Sequence, residues 1–202
     1  MVYVKDVKYK ADLTAGSLKV TESRIIADLL LRDADEREWH ASLYDQNVLQ
    51  TRSPATAKRL AHLIRGRLET MDRDLWLLIR EGTGTIPTHA VLAAAVKHSA
   101  LLGDFFDLVV GEQYRTFGTA LSAKLWEDYL DGCRGRDPEM PLWRESTRKR
   151  LKSTVFQILA QAGYVDDTRS LTLQRVHIAA QVIQYLKDRD ERYVLRCIQV
   201  AA

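Results

Sequence analysis

Cysteine is scarce in this chain of 202 residues, which holds only Cys133 and Cys197. They lie far apart and show no metal-ligand or redox spacing, so they read as reduced structural thiols and the fold must stand without staples. Long apolar runs are missing too. The longest stretch free of charge, Gly82 to Val96, is 15 residues long and contains Gly84 and Pro87. A bilayer span needs roughly 20 residues, so no membrane partner is expected. The first ten residues, MVYVKDVKYK, alternate charge with apolar side chains and lack the apolar core of a signal peptide, which predicts a cytoplasmic protein.

Catalytic signatures are equally thin. The five histidines, His40, His62, His89, His98 and His177, never fall at metal-ligand spacing, and no Cys or acidic cluster completes a site. There is no Gly-rich loop ending in Lys-Ser or Lys-Thr and no GxSxG elbow, and GTGT at 82 to 85 lacks the setting of a dinucleotide-binding turn. The expectation is a protein that is not an enzyme and uses neither a metal nor a cofactor. Asp104, Asp107 and Glu112 fall about one helical turn apart, a pattern that solvation or ion pairing explains.

What the chain does have is 46% hydrophobic residues, enough for a substantial core, and charge that is unevenly spread. Residues 1 to 70 carry 12 basic and 10 acidic side chains, residues 71 to 141 carry 7 and 11, and residues 142 to 202 carry 11 and 6. The overall charge is only +3, but an acidic middle between two basic ends hints at a polyanionic partner better than the average does.

The basic residues concentrate in two places. Residues 52 to 67, RSPATAKRLAHLIRGR, hold five Arg or Lys and no acid. Ser53 is a capping residue and Pro54 suits a first helical turn, so a helix is predicted to start at Pro54. Ala57, Leu60 or Ala61, Ile64 and Leu68 form its buried stripe, while Lys58, His62 and Arg65 project from another, basic face. Arg52, Lys58, Arg59, His62, Arg65 and Arg67 are therefore candidates for nucleic-acid contact, since Arg and Lys neutralise phosphates and Arg also reads guanine edges. The second place is Arg148, Lys149, Arg150 and Lys152, where Arg148 and Lys152 share a face at i,i+4 spacing. A solvated, solubilising helix surface would carry the same signature in either place.

Helical periodicity recurs along the chain. One helix opens at Thr21 or Ser23 and runs to Leu31, and a second follows over 36 to 47 with Trp39, Leu43 and Tyr44 inward. With the helix from Pro54 these make a helix-turn-helix-sized unit within 21 to 69. Further helices are expected over the segment beginning MDRDLW, over the apolar stretch Thr88 to Phe117, and over Ala120 to Leu130. Gly103 and Gly111 mark bends or close helix contacts, and the four tryptophans read as core or interface anchors. The Gly- and Pro-rich run 132 to 141 is the predicted linker between a helical domain, 1 to 135, and a C-terminal domain, 142 to 202. In the latter a helix ends at Gly163, and 164 to 178 reads as a β-hairpin, the pattern of a winged helix. The fold class is mainly α: a multi-helix bundle with these two embellishments.

Tyr9, Leu13, Thr14, Gly16 and Leu18, then Glu22 and Ser23, then NxLQxRSxxTAxR across Asn47 to Arg59 together resemble the BrxA family, the A component of BREX bacteriophage-exclusion loci. Lys97, Phe105 and the segment Ile158 to Gly163 match later features, so the resemblance covers nearly the whole chain. It implies a non-enzymatic, mainly helical protein similar in fold to the RNA-binding factor NusB, acting in phage defence and binding nucleic acid, with double-stranded DNA the expected partner beside other BREX components. Arg52, Lys58 and Arg59 lie in the matching segment; Arg65, Arg67, Arg148, Lys149 and Lys152 rest on charge alone. An older description of the family as an inner-membrane protein finds no spanning segment here. Two other readings stay open: a scaffold binding defence components through the acidic middle or a Trp-bearing surface, and an RNA-binding protein like NusB.

Overall fold

A computed structural model describes residues 8–200. Helix is the dominant structure: α1 (Val20–Leu31), α2 (Glu36–His40), α3 (Pro54–Leu68), α4 (Arg73–Glu81), α5 (Ile86–His98), α6 (Ala100–Phe105), α7 (Gly111–Arg115), α8 (Ala123–Arg136), α9 (Glu145–Gln161), α10 (Ala180–Asp188) and α11 (Arg192–Ile198). Two π-helical segments, Ala41–Asp45 and Phe106–Val110, extend α2 and join α6 to α7.

The chain divides into two compact units, each assembled from separate stretches of sequence. One comprises the described residues of Met1–Ser17, Ser99–His177 and Tyr193–Ala202; the other comprises Leu18–His98 and Ile178–Arg192. Residues 132–141, where the composition points to a linker, lie within the first unit, and α8 runs through Gly132 to Arg136.

In the second unit α5 is the central element. Ala90 to Val96 are at most 1% exposed, so this helix is apolar all round rather than amphipathic, as burial on every side requires. Helices α1, α3, α4 and α10 pack against it, and α1 also packs on α3 and α4. Helices form over the predicted stretches with shifted ends: α1 starts at Val20 instead of Thr21 or Ser23, α5 at Ile86 instead of Thr88, and α8 at Ala123 instead of Ala120. Asp35 makes a capping box with Glu38, accepting the Arg37 and Glu38 N–H groups at 2.9 Å, and Asp72 caps α4.

The core of the first unit is aromatic. Phe105 meets Trp126 and Tyr129 edge-on, with centroids 5.2 Å apart in both pairs, and Phe106 meets Tyr164 at 4.9 Å; such edge-to-face pairs add to the area they bury. Cys133 and Cys197 are both buried and free. Burial pushes the Cys197 thiol up to about 12, which keeps it a packing residue. The expected acidic face is consumed in pairing: Asp104 accepts the hydroxyls of Tyr9 at 2.6 Å and Tyr193 at 2.7 Å, Asp107 binds Arg196, and Glu112 binds Arg115. Gly103 permits a close approach, because a side chain there would collide with Tyr193. Gly163, at φ 84°, follows the end of α9 in the left-handed conformation of a helix terminus.

The predicted hairpin, and the winged-helix ending built on it, are not formed: the described residues contain no strand, only isolated antiparallel bridges pairing Val165 with Leu173 and Ala120 with Thr172. The reason lies in Asp166. Its Oδ1 accepts the N–H groups of Asp167 at 2.7 Å and Thr172 at 2.9 Å and the Ser170 hydroxyl at 2.6 Å. The Thr172 N–H thus goes to this side chain, and the pairing of the two arms stops at the bonds from Asp166 N–H to Thr172 O, at 3.0 Å, and from Gln174 N–H to Tyr164 O, at 2.9 Å. Across the turn, Leu121 N–H bonds Leu171 O and Leu173 N–H bonds Thr119 O, both at 2.9 Å, so 171–173 pairs with the loop before α8.

Candidate nucleic-acid interface

Helix α3 begins where the Ser-Pro pair predicts. Ser53 has extended backbone and its Oγ accepts the Thr56 N–H at 3.3 Å, with Pro54 as the first helical residue. The loop before it is shaped by Asn47, which has φ 45° and is bonded to Thr51 in both directions at 3.0 Å. That loop brings Arg52 to the head of the helix. The apolar stripe is buried as expected: Ala57, Leu60, Ala61, Ile64 and Leu68 are all at most 7% exposed.

The candidate residues on this helix separate into three kinds. Arg52, Lys58, Arg59 and His62 are exposed, and none has a carboxylate partner among the described residues. Arg65 is exposed but held: its Nε pairs with Glu69 at 2.6 Å, and its guanidinium lies 4.8 Å from the centre of the Trp39 ring. Arg67 is 1% exposed and belongs to the core, out of reach of any phosphate.

The second basic cluster, on α9, is in a different electrostatic state. Arg148 pairs with Glu127 at 2.6 Å and lies 3.7 Å from Asp131, both on α8. Lys152 also reaches Glu127, at 3.5 Å, and Lys149 pairs with Glu145 at 2.6 Å. Arg150 donates to the Thr14 carbonyl. Carboxylates on the same surface thus offset the charge that makes this segment conspicuous in the sequence.

Two adjoining recesses flank α3. The larger, of about 570 Å³, is lined by Glu36, Trp39, His40, Leu43, Tyr44, Lys58, Ala61, His62 and Arg65. The smaller, of about 190 Å³, shares Leu43 and Tyr44 and adds Asn47, Thr51, Arg52, Ser53 and Pro54. The wall opposite α3 comes from α2 and its π-helical extension, where the His40 and Tyr44 rings sit 4.8 Å apart, tilted by 59°. Sequence periodicity turns Trp39, Leu43 and Tyr44 inward; Leu43 is buried and the two rings are half-buried. It does not reveal that Glu36 and His40 share a recess with Lys58 and His62. That depends on how α2 lies against α3, and the wider π-helical turn, a device frequent at functional sites, is its one structural signal.

Among the described residues no His, Cys, Asp and Glu group is placed to hold a metal ion, and no helix is long and apolar enough to cross a membrane. Fold and surface thus define a mainly helical protein of two units, in which Arg52, Lys58 and Arg59, exposed and without a carboxylate partner among the described residues, lie at and on a basic helix beside an aromatic-lined recess. Residues 7–190 match the BrxA family, and the chain belongs to that family. It is 50% identical over 194 residues to the BREX protein BrxA of Paramagnetospirillum magneticum, covering 96% of this chain and 98% of the relative. It is 35% identical to the BREX protein BrxA of Escherichia coli O9:H4, with 92% and 88% covered. A crystal structure of an uncharacterized protein from Magnetospirillum magneticum superposes with a TM-score of 0.90 at 48% identity, covering 96% of this chain and all of that one.

Proposed function

We propose that this chain is a non-enzymatic, cytoplasmic accessory protein of a BREX phage-defence system that binds nucleic acid, double-stranded DNA in the first instance, through α3. The observation that carries the reading is the contrast between its two basic helices. Arg52, Lys58 and Arg59 project without carboxylate partners among the described residues, whereas Arg148, Lys149 and Lys152 are paired. Binding to phosphate gains most from cations that need not first break an ion pair, because neutralising phosphates releases condensed counterions. The three helices α1, α2 and α3 supply a helix-turn-helix-like support in which α3 makes the contact.

The test is the triple variant Arg52→Glu, Lys58→Glu, Arg59→Glu in a gel-shift series with duplex DNA, single-stranded DNA and RNA at two salt concentrations. The expected result is weaker duplex binding with unchanged circular dichroism. Unchanged affinity in the folded variant removes α3 from the interface, and stronger retention of RNA makes the protein an RNA binder of the NusB kind.

A second reading, a scaffold for other BREX components, draws on the first unit. Phe117 is 90% exposed in a left-handed conformation, at φ 57°, and Leu142 is 82% exposed. Large apolar side chains held in solvent suit a protein contact. Co-purification with the other components, lost in Phe117→Ser while DNA binding persists, is the outcome this reading expects.

A further inference from the structure

The recess between α2 and α3 has a chemistry that phosphate contact does not use. Its floor is apolar, with Leu43 and Ala61 buried; one wall carries the His40 and Tyr44 rings, and the rim carries Glu36, Lys58, His62 and Arg65. A free inorganic anion would gain from Lys58 but meet Glu36 and make no use of the rings. A purely apolar ligand would cover Lys58 and Glu36 without partners, at a desolvation cost. A nucleobase attached to its phosphate uses every group. The ring face stacks on Tyr44 while the His40 ring, tilted by 59°, meets the edge of the base; Glu36 accepts from an exocyclic amine, and Lys58 meets the phosphate. The guanidinium of Arg65 is already fixed against Trp39, so a flat cationic surface stands ready without further ordering. The volume of about 570 Å³ falls within the span of small-ligand sites, which runs from about 300 to 1,000 Å³.

We propose that this recess holds one unpaired nucleobase of the bound strand, an inference that rests on α3 being the nucleic-acid contact. The protein then prefers DNA with a base free to leave the stack over fully paired duplex, since an unpaired base costs least to extrude.

The experiment compares a closed duplex with the same duplex carrying a single bulged 2-aminopurine, using the full chain. The expected result is about tenfold tighter binding of the bulged duplex, the scale of one base–aromatic stack, with a fall in 2-aminopurine emission as the base leaves water and stacks. Tyr44→Ala brings both duplexes to the same affinity and leaves the salt dependence of closed-duplex binding unchanged. Because Tyr44 is half-buried and its loss could disturb the fold, His40→Ala, an exposed position whose ring shares the wall with Tyr44, serves as the second variant and reduces the same preference. Equal affinity of the wild-type protein for both duplexes, or unchanged emission on binding, overturns the base site while leaving α3 as a phosphate contact. Retention of neither duplex overturns the underlying reading and the base site with it.

Discussion

The Nδ1 of His89 accepts the backbone N–H of Ala179 at 3.0 Å, tying α5 to the start of α10. This bond requires Nδ1 to be unprotonated, and the ring is 4% exposed. Burial, which penalises the charged form, holds the His89 pKa below its usual value of 6.5. The unfolded chain therefore takes up a proton before the folded one does. Stability from this site is complete above about pH 6.5 and is lost as pH falls through the lower folded value. Urea unfolding at pH 7.5 and 5.5 is expected to show a lower midpoint at the acidic pH. His89→Gln, with an uncharged acceptor, lowers the midpoint at pH 7.5 and flattens its pH dependence.

The salt dependence of DNA binding reports which helix is used. With three to five cations on phosphates, log K against log salt should have a slope of roughly −3 to −5 on duplex DNA. The Arg52, Lys58, Arg59 triple variant should lose about three units of that slope. Lys149→Gln with Lys152→Gln should leave both slope and affinity essentially unchanged, because those charges are already matched. Equal losses from the two variants would place both helices on the DNA.

Arg67 offers a separation of stability from binding. Placed in the core at 1% exposure, its side chain fills space between buried neighbours. Arg67→Ala is expected to cost about 3 kcal/mol of unfolding free energy, measured by denaturant titration, with DNA affinity per folded molecule unchanged.

Gly103→Ala is expected to destabilise by about 1–3 kcal/mol, the usual cost of overpacking. The added methyl group is driven into the Tyr193 ring. If that contact is the cause, Gly103→Ala and Tyr193→Ala combine to much less than the sum of their separate effects in a double-mutant cycle.

Local signals in the sequence were strong where one element carries the whole reason. Ser53 and Pro54 mark the start of α3, Gly163 marks the end of α9, and the stripe from Ala57 to Leu68 predicts the buried face. The same periodicity applies to Arg67: it lies seven residues beyond Leu60, hence on the core side, and its charge masks a position the pattern makes internal. Pairing across elements is not legible in this way. Glu127 and Asp131, which neutralise Arg148, precede it by 21 and 17 positions on another helix, and no spacing rule links them. The hairpin fails for a related reason. Propensity favours strands around the Asp-Asp-Thr-Arg-Ser turn, but the hydrogen bonds gathered by Asp166 and the pairing of 171–173 with 119–121 are settled by tertiary context.

The interleaving of the two units governs how the protein can be made and dissected. The unit bearing α3 is completed only by residues 178–192, and the other only by the segment from Tyr193 onward. During synthesis neither can finish folding until its late segment, 178–192 for one unit and the stretch from Tyr193 for the other, has left the ribosome, so the apolar flanks of α5 and the aromatic cluster around Trp126 wait for their last helices. A fragment ending after α3 or α5 lacks α10, and with it the residue whose amide His89 accepts. Deletion mapping of the interface would report misfolding in place of lost contacts, and point substitutions on the intact chain are the instrument this topology permits.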